Sequence, residues 1–91
     1  MELKKRTTAQ SGFGEPGEVF IFDVDGVTIQ AFVTVRWDAY HEQRMWETWA
    51  YEIDDEGERV GNTLWQYSTP RDIRADEIRE DIEVYYDRIR R

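Results

Sequence analysis

Hydrophobic and polar residues alternate on a period of two from Glu18 to Val24 and again from Val27 to Trp37, with Asp25-Gly26 between the two runs. Alternation of this kind marks half-buried strands. Asp-Gly supplies the two positive φ angles that a type I′ hairpin turn needs. Setting Val24 opposite Val27 brings Phe22 opposite Ile29 and Phe20 opposite Ala31. Phe20, Phe22, Val24, Val27, Ile29, Ala31, Val33 and Val35 then share one face, and Asp23, Thr28, Gln30, Thr34 and Arg36 take the other. Asp38 to Gln43 should turn the chain into a third strand over about 44–53, with Met45, Trp49, Tyr51 and Ile53 on one face and Trp46 on the opposite one. Asp54-Asp55-Glu56-Gly57 makes a second turn, and Arg59 to Tyr67 a fourth strand in which Gly61 marks a bulge.

The period then changes. Thr69-Pro70-Arg71-Asp72 offers a Thr N-cap, a Pro at the first helical position and an acid three residues on. Ala75, Ile78, Ile82, Tyr85 and Ile89 follow at steps of three and four, one apolar stripe that must cover the sheet or a partner. Asp72, Asp76 and Glu77 near its start and Arg88, Arg90 and Arg91 near its end complement the helix dipole. Residues 1–17 carry turn and loop chemistry, with Leu3 and Phe13 as the large apolar side chains, and read as a flexible N-terminal arm made locally basic by Lys4, Lys5 and Arg6. The expected fold is therefore α+β: an antiparallel four-stranded sheet of two hairpins with one C-terminal helix packed on it, residues 18–91 forming one domain.

Charge narrows the choice of partners. The 91 residues carry a formal net charge of −8, with ten Arg and two Lys against 20 Asp and Glu. Such a field opposes binding to nucleic acid or to an anionic membrane and favours a protein partner with a basic surface. The same acidity also serves solubility or a salt-rich cytoplasm. There is no cysteine, which excludes disulfides and thiolate metal sites. No apolar run follows Met1-Glu2-Leu3-Lys4-Lys5-Arg6, so a signal peptide is not expected and the expected location is cytoplasmic. Four Trp, five Tyr and four Phe are more rings than one small core needs, which leaves some for partner contacts.

One stretch resembles an enzyme motif. Val19-Phe20-Ile21-Phe22-Asp23-Val24-Asp25-Gly26-Val27 is similar to the first motif of the haloacid-dehalogenase-like phosphatases, an apolar strand ending in Asp-x-Asp-Gly. The resemblance implies Asp23 as nucleophile and Asp25 as general acid and base beside Mg²⁺. It also implies a parallel sheet with crossover helices, whereas here the motif runs straight into a second alternating strand, and both lysines precede it. Calcium-loop spacing is absent around both Asp-rich turns, and His41 is the single histidine. No catalytic residue, metal or cofactor is therefore expected.

A second likeness concerns origin. Trp46-Glu47-Thr48 on a strand and Tyr67-Ser68-Thr69 opening a helix resemble small uncharacterised proteins encoded by bacteriophages and their hosts. The similarity spans roughly residues 45–85, and the His usual in their helix is missing around Asp76–Arg79. Two functions are carried forward. The first is a non-enzymatic protein-binding module, an inhibitor of a host nucleic-acid-binding or defence complex of the anti-CRISPR kind that works by DNA mimicry. Its carboxylates would be Asp54, Asp55, Glu56 and Glu58 on the second hairpin and Asp76, Glu77, Glu80, Asp81, Glu83 and Asp87 on the helix. The alternative is a structural or assembly module, a homodimer or part of a larger complex, using Trp46 and Trp65.

Overall fold

Five strands form one antiparallel meander, β1-β2-β3-β4-β5, and a helix follows them. The computed structural model describes residues 2–10 and 16–89. β2 is Pro16–Val24, β3 Val27–Asp38, β4 Gln43–Ile53 and β5 Arg59–Thr69. All four strands expected from the alternation are thus present, in the two expected hairpins. β2 and β3 pair in the register set by the turn, with Val24 opposite Val27, Phe22 opposite Ile29 and Phe20 opposite Ala31. Asp25 and Gly26 hold φ of 52° and 84°, the left-handed pair of a type I′ turn. The Gly26 N–H donates to Asp23 Oδ1 at 3.1 Å.

The N-terminal segment departs from the expected arm. Glu2–Gln10 form β1, antiparallel to β2 with Arg6 opposite Phe20, and give the sheet a fifth strand. Backbone hydrogen bonding to an open edge needs no apolar pattern, so hydropathy did not announce this strand. Phe13, Arg90 and Arg91 lie outside the described residues.

The helix starts later than its cap signal implied. Thr69 stays on the β5 ladder opposite Trp46, and residues 70–74 cross from sheet to helix. Thr69 Oγ1 accepts from the Arg71 N–H, a local turn instead of a helix cap. α1 spans Ala75–Val84 with Arg74 at the N-cap. There the Glu77 carboxylate reaches back to accept the Arg74 N–H at 2.9 Å, one arm of a capping box. A short helical turn, α2, covers Tyr86–Ile89. The last turn of α1 holds no basic residue; Arg88 follows in α2, and Arg90 and Arg91, the rest of the expected cationic end, lie outside the described residues.

The apolar stripe behaves as its spacing requires. Ile78, Ile82 and Ile89 are buried, with Ala75 and Tyr85 packed against the same core, and Ile73 from the crossing segment joins them. They cover the sheet face formed by Phe20, Phe22, Val24, Ile29, Ala31, Val33, Ala50 and Trp65. A register shift between Ala50 and Glu52 lets Trp65 and Val60 flank extra β5 residues opposite Tyr51, and Gly61 lies in this bulge with a φ of 77°.

Candidate interaction surfaces

Alternation along β4 decides which aromatics face the helix. Trp46, Thr48 and Ala50 point to the covered face, so Trp46 is half-buried against the core. Trp65 is 3 % exposed, its Nε1 donates to Thr48 Oγ1 at 3.4 Å, and its ring stacks on Tyr85 at 5.8 Å. Trp65 is thus a core residue and not a surface contact. Burial on one strand face followed from its pairing with Ala50, a register that the hairpin alone did not reveal.

The opposite face has no helical layer. Phe32, Trp49 and Tyr51 cluster there, with Phe32 stacked on Trp49 at 5.2 Å and tilted to Tyr51 at 5.8 Å. Gln30 Nε2 donates to Tyr51 Oη, and the Arg59 guanidinium lies 5.0 Å from the Tyr51 ring centre. Arg36 Nε pairs with Glu47 Oε1 at 2.7 Å across β3 and β4. Val19, Ile21 and Ile53 alternate onto the same side. The sequence placed Trp49, Tyr51 and Ile53 together but did not single out Phe32, which cross-strand pairing sets beside Trp49.

The meander sorts the carboxylates by end. Because Thr28 pairs with Ile53, the β2–β3 and β4–β5 turns lie at the same end of the sheet. The helical segment returns to this end, where Tyr86 Oη donates to Asp25 Oδ2. Asp54, Asp55, Glu56 and Glu58 of the second turn therefore share one pole with Asp23, Asp25 and Asp87. Asp54 has a structural task as well, its Oδ1 accepting from the N–H groups of Glu56 and Glu58, each at 2.9 Å. Asp76 and Glu77 start α1 at the other pole. Asp76, Glu80 and Glu83 are exposed at steps of four and three, one acidic stripe on the outward side of α1. Asp72, Glu77 and Glu80 line a cleft of about 300 Å³ between β5 and α1, with Arg71 on its rim.

Asp81 differs from the other helical acids. It is half-buried and accepts the Tyr67 hydroxyl at 2.6 Å. Burial raises its pKa, Glu80 and Glu77 raise it further, and the Tyr67 hydrogen bond only partly offsets them. The Tyr67 hydroxyl is pushed up by its own burial and by the Asp81 carboxylate. Asp81 thus ties α1 to β5 and is withdrawn from a partner's reach.

The β3–β4 turn, at the pole opposite the acidic turns, carries rings that hydropathy did not flag. Trp37 is 63 % and Tyr40 90 % exposed. Asp38 organises the turn: Oδ1 accepts from the Tyr40 and His41 N–H groups, and Oδ2 lies 2.8 Å from His41 Nδ1. These contacts hold the Asp38 carboxyl below its usual pKa.

The phosphatase-like residues sit across a tight antiparallel hairpin. Asp23 caps that turn and Asp25 receives Tyr86, in place of the parallel strand and following helix that the resemblance implied. Among the described residues no group of three His, Asp or Glu side chains is arranged to hold a metal ion, and no helix is long and apolar enough to cross a membrane. Compared with protein-family models, curated proteins and solved structures, the chain shows no match.

Proposed function

We propose that this chain is a non-enzymatic protein-binding module that occupies a basic surface on a partner, as an inhibitor of a nucleic-acid-binding complex would. The observation that carries the reading is the convergence of carboxylates from three separate segments, Asp23–Asp25, Asp54–Glu58 and Asp87, at one pole of the sheet. The outward stripe of Asp76, Glu80 and Glu83 extends this charge along the helix. Carboxylates held on a rigid hairpin and helix imitate the spaced anions of a nucleic-acid backbone, and they speed encounter with a basic groove. The sequence resemblance at Trp46-Glu47-Thr48 is the ground for a phage-type origin of such an inhibitor; Tyr67-Ser68-Thr69, expected to open a helix, lies in β5.

The test is affinity capture from the native host's lysate at low and at high salt, followed by competition with DNA or RNA. A nucleic-acid-binding protein retained at low salt and displaced by nucleic acid is the expected result. Asp55→Lys with Glu56→Lys should weaken its binding by roughly tenfold or more, since like charges at an interface repel. Binding that ignores both salt and these substitutions would remove the acidic pole from the mechanism.

A further inference from the structure

The helix-free sheet face carries its charges in a self-complementary order. Asp23 pairs with Thr28, Thr28 with Ile53 and Ile53 with Arg59, so these four residues form one cross-strand row. An acid ends the row on β2 and a base ends it on β5. A second row runs Val19, Phe32, Trp49 and Gln66 through the aromatic cluster. Beyond it, Glu47 stands opposite Thr34 and Arg36 opposite Met45 on the two central strands. The described charges of this face are nearly balanced, Asp23, Asp38 and Glu47 against Arg36 and Arg59, on a chain of net charge −8.

We infer that this face is the contact of a two-fold dimer of the chain, two sheets packing as a β-sandwich. An axis parallel to the strands and between β3 and β4 exchanges β2 with β5 and β3 with β4. It lays Asp23 of one copy over Arg59 of the other, Phe32 over Trp49, and brings Arg36 towards Glu47. Isologous contacts of this kind require a surface complementary to itself, and the charge order supplies one. Size agrees. Strands of about ten residues at ~3.3 Å per residue and ~4.8 Å apart give β2–β5 a footprint of roughly 600 Å². A standard stable interface buries ~800 Å² of accessible surface per partner.

Electrostatics select this face over the others for self-association. Stacked sheets lie ~10 Å apart, and each helix stands about another 10 Å outward. The two acidic helical layers then lie ~30 Å apart, several times the Debye length of ~8 Å at physiological ionic strength. Approach through the helices would instead bring like charges together. Sandwich packing also answers why a sheet in a small domain carries apolar rings on both faces, when an antiparallel sheet usually presents one polar face to water. The dimer does not depend on the acidic-pole reading; it uses Asp23 of that pole and leaves Asp54–Glu58 and Asp87 outside the contact.

Sedimentation and light scattering of the full chain at about 100 µM test the inference. The expected mass is twice the 11.0 kDa of one chain. Trp49→Glu should raise the dimer dissociation constant roughly a hundredfold by placing a charge at the centre of the contact, while Glu80→Lys on the helix should leave the mass unchanged. Asp23→Arg and Arg59→Asp should each weaken the dimer, and the double exchange should restore it. Both residues also serve their own turns, so thermal melting must show each variant folded. A measurement on the near-native chain stands beside these. With no cysteine present, Gln30→Cys gives a unique spin-label site whose two copies lie with backbones ~11 Å apart across the sandwich. A strictly monomeric chain at that concentration, a folded Trp49→Glu variant that remains dimeric, or widely separated labels at position 30 would each overturn the proposal.

Discussion

At the scale of single residues, Asp81 shows how one hydrogen bond is set against a poor electrostatic environment. Its carboxylate is half-buried beside Glu77 and Glu80, and the Tyr67 hydroxyl donates to it. A folded-state pKa above the unfolded value means that Asp81 favours the fold most at low pH, below the unfolded pKa. That contribution is lost as pH rises through the folded value. Asp81→Asn removes the charge and keeps an oxygen to accept from Tyr67. The variant should melt higher than the parent at pH 7, with the difference shrinking toward pH 4, as followed by thermal denaturation across pH. Tyr67→Phe should act oppositely at neutral pH, costing about 1–2 kcal/mol by leaving the carboxylate without its donor. Single residues also mark a limit of the sequence. Trp65 and Trp37 are the same residue type on alternating strands, yet one is sealed under Tyr85 and the other is largely exposed. Nothing in the local alternation distinguishes them, because the helix spans only part of the sheet face they share.

At the scale of elements, legibility followed the kind of force that builds each one. The β2–β3 hairpin was readable to the residue, since turn chemistry and alternation both constrain its register. Gly26→Ala tests that claim. No atom lies within 4 Å of the added Cβ, so the cost is conformational alone. About 1 kcal/mol should be lost for an L-residue held at φ 84°, measured by chemical denaturation. The helix stripe was equally readable, whereas its start was misplaced by five residues' worth of connection, 70–74. Thr69-Pro70 carries a good cap signal, but pairing of Thr69 with Trp46 holds it in the sheet and Glu77 provides the cap further on. β1 was not readable at all. It is held by backbone pairing along β2, which leaves no periodic trace in hydropathy. Of the interaction surfaces, the acidic residues were legible as composition and their gathering at one pole was not. That depends on strand order setting two turns at one end and on the helical segment returning to it.

At the scale of the whole molecule, charge is distributed against stability. Twenty acids and twelve bases on a body with a radius of gyration of 13.3 Å repel one another on average. The ion pairs Arg36–Glu47 and Arg74–Asp72 are both substantially exposed and contribute little each. Added salt should therefore stabilise the fold. Raising sodium chloride from about 20 to 500 mM shortens the Debye length several-fold and should raise the melting temperature by a few degrees. Scanning calorimetry at constant protein concentration would check it, and a melting point that falls with salt would show that attractive pairs dominate instead.

The meander itself has a consequence for how the chain acquires its shape. Each strand pairs with the strand next to it in sequence, and none must wait for a distant segment. Contacts of short sequence separation close with little entropy loss and make for quick folding. On the ribosome the sheet can therefore accrete strand by strand in the order of synthesis. The exceptions are the contacts of the helical segment with the sheet, among them the bridge from Tyr86 to Asp25, which spans 61 positions. Until that final segment emerges, the apolar face made by Phe20, Phe22 and Ile29 is built but uncovered. The growing chain should be most open to chaperone capture in that interval, after β3 has paired and before α1 arrives.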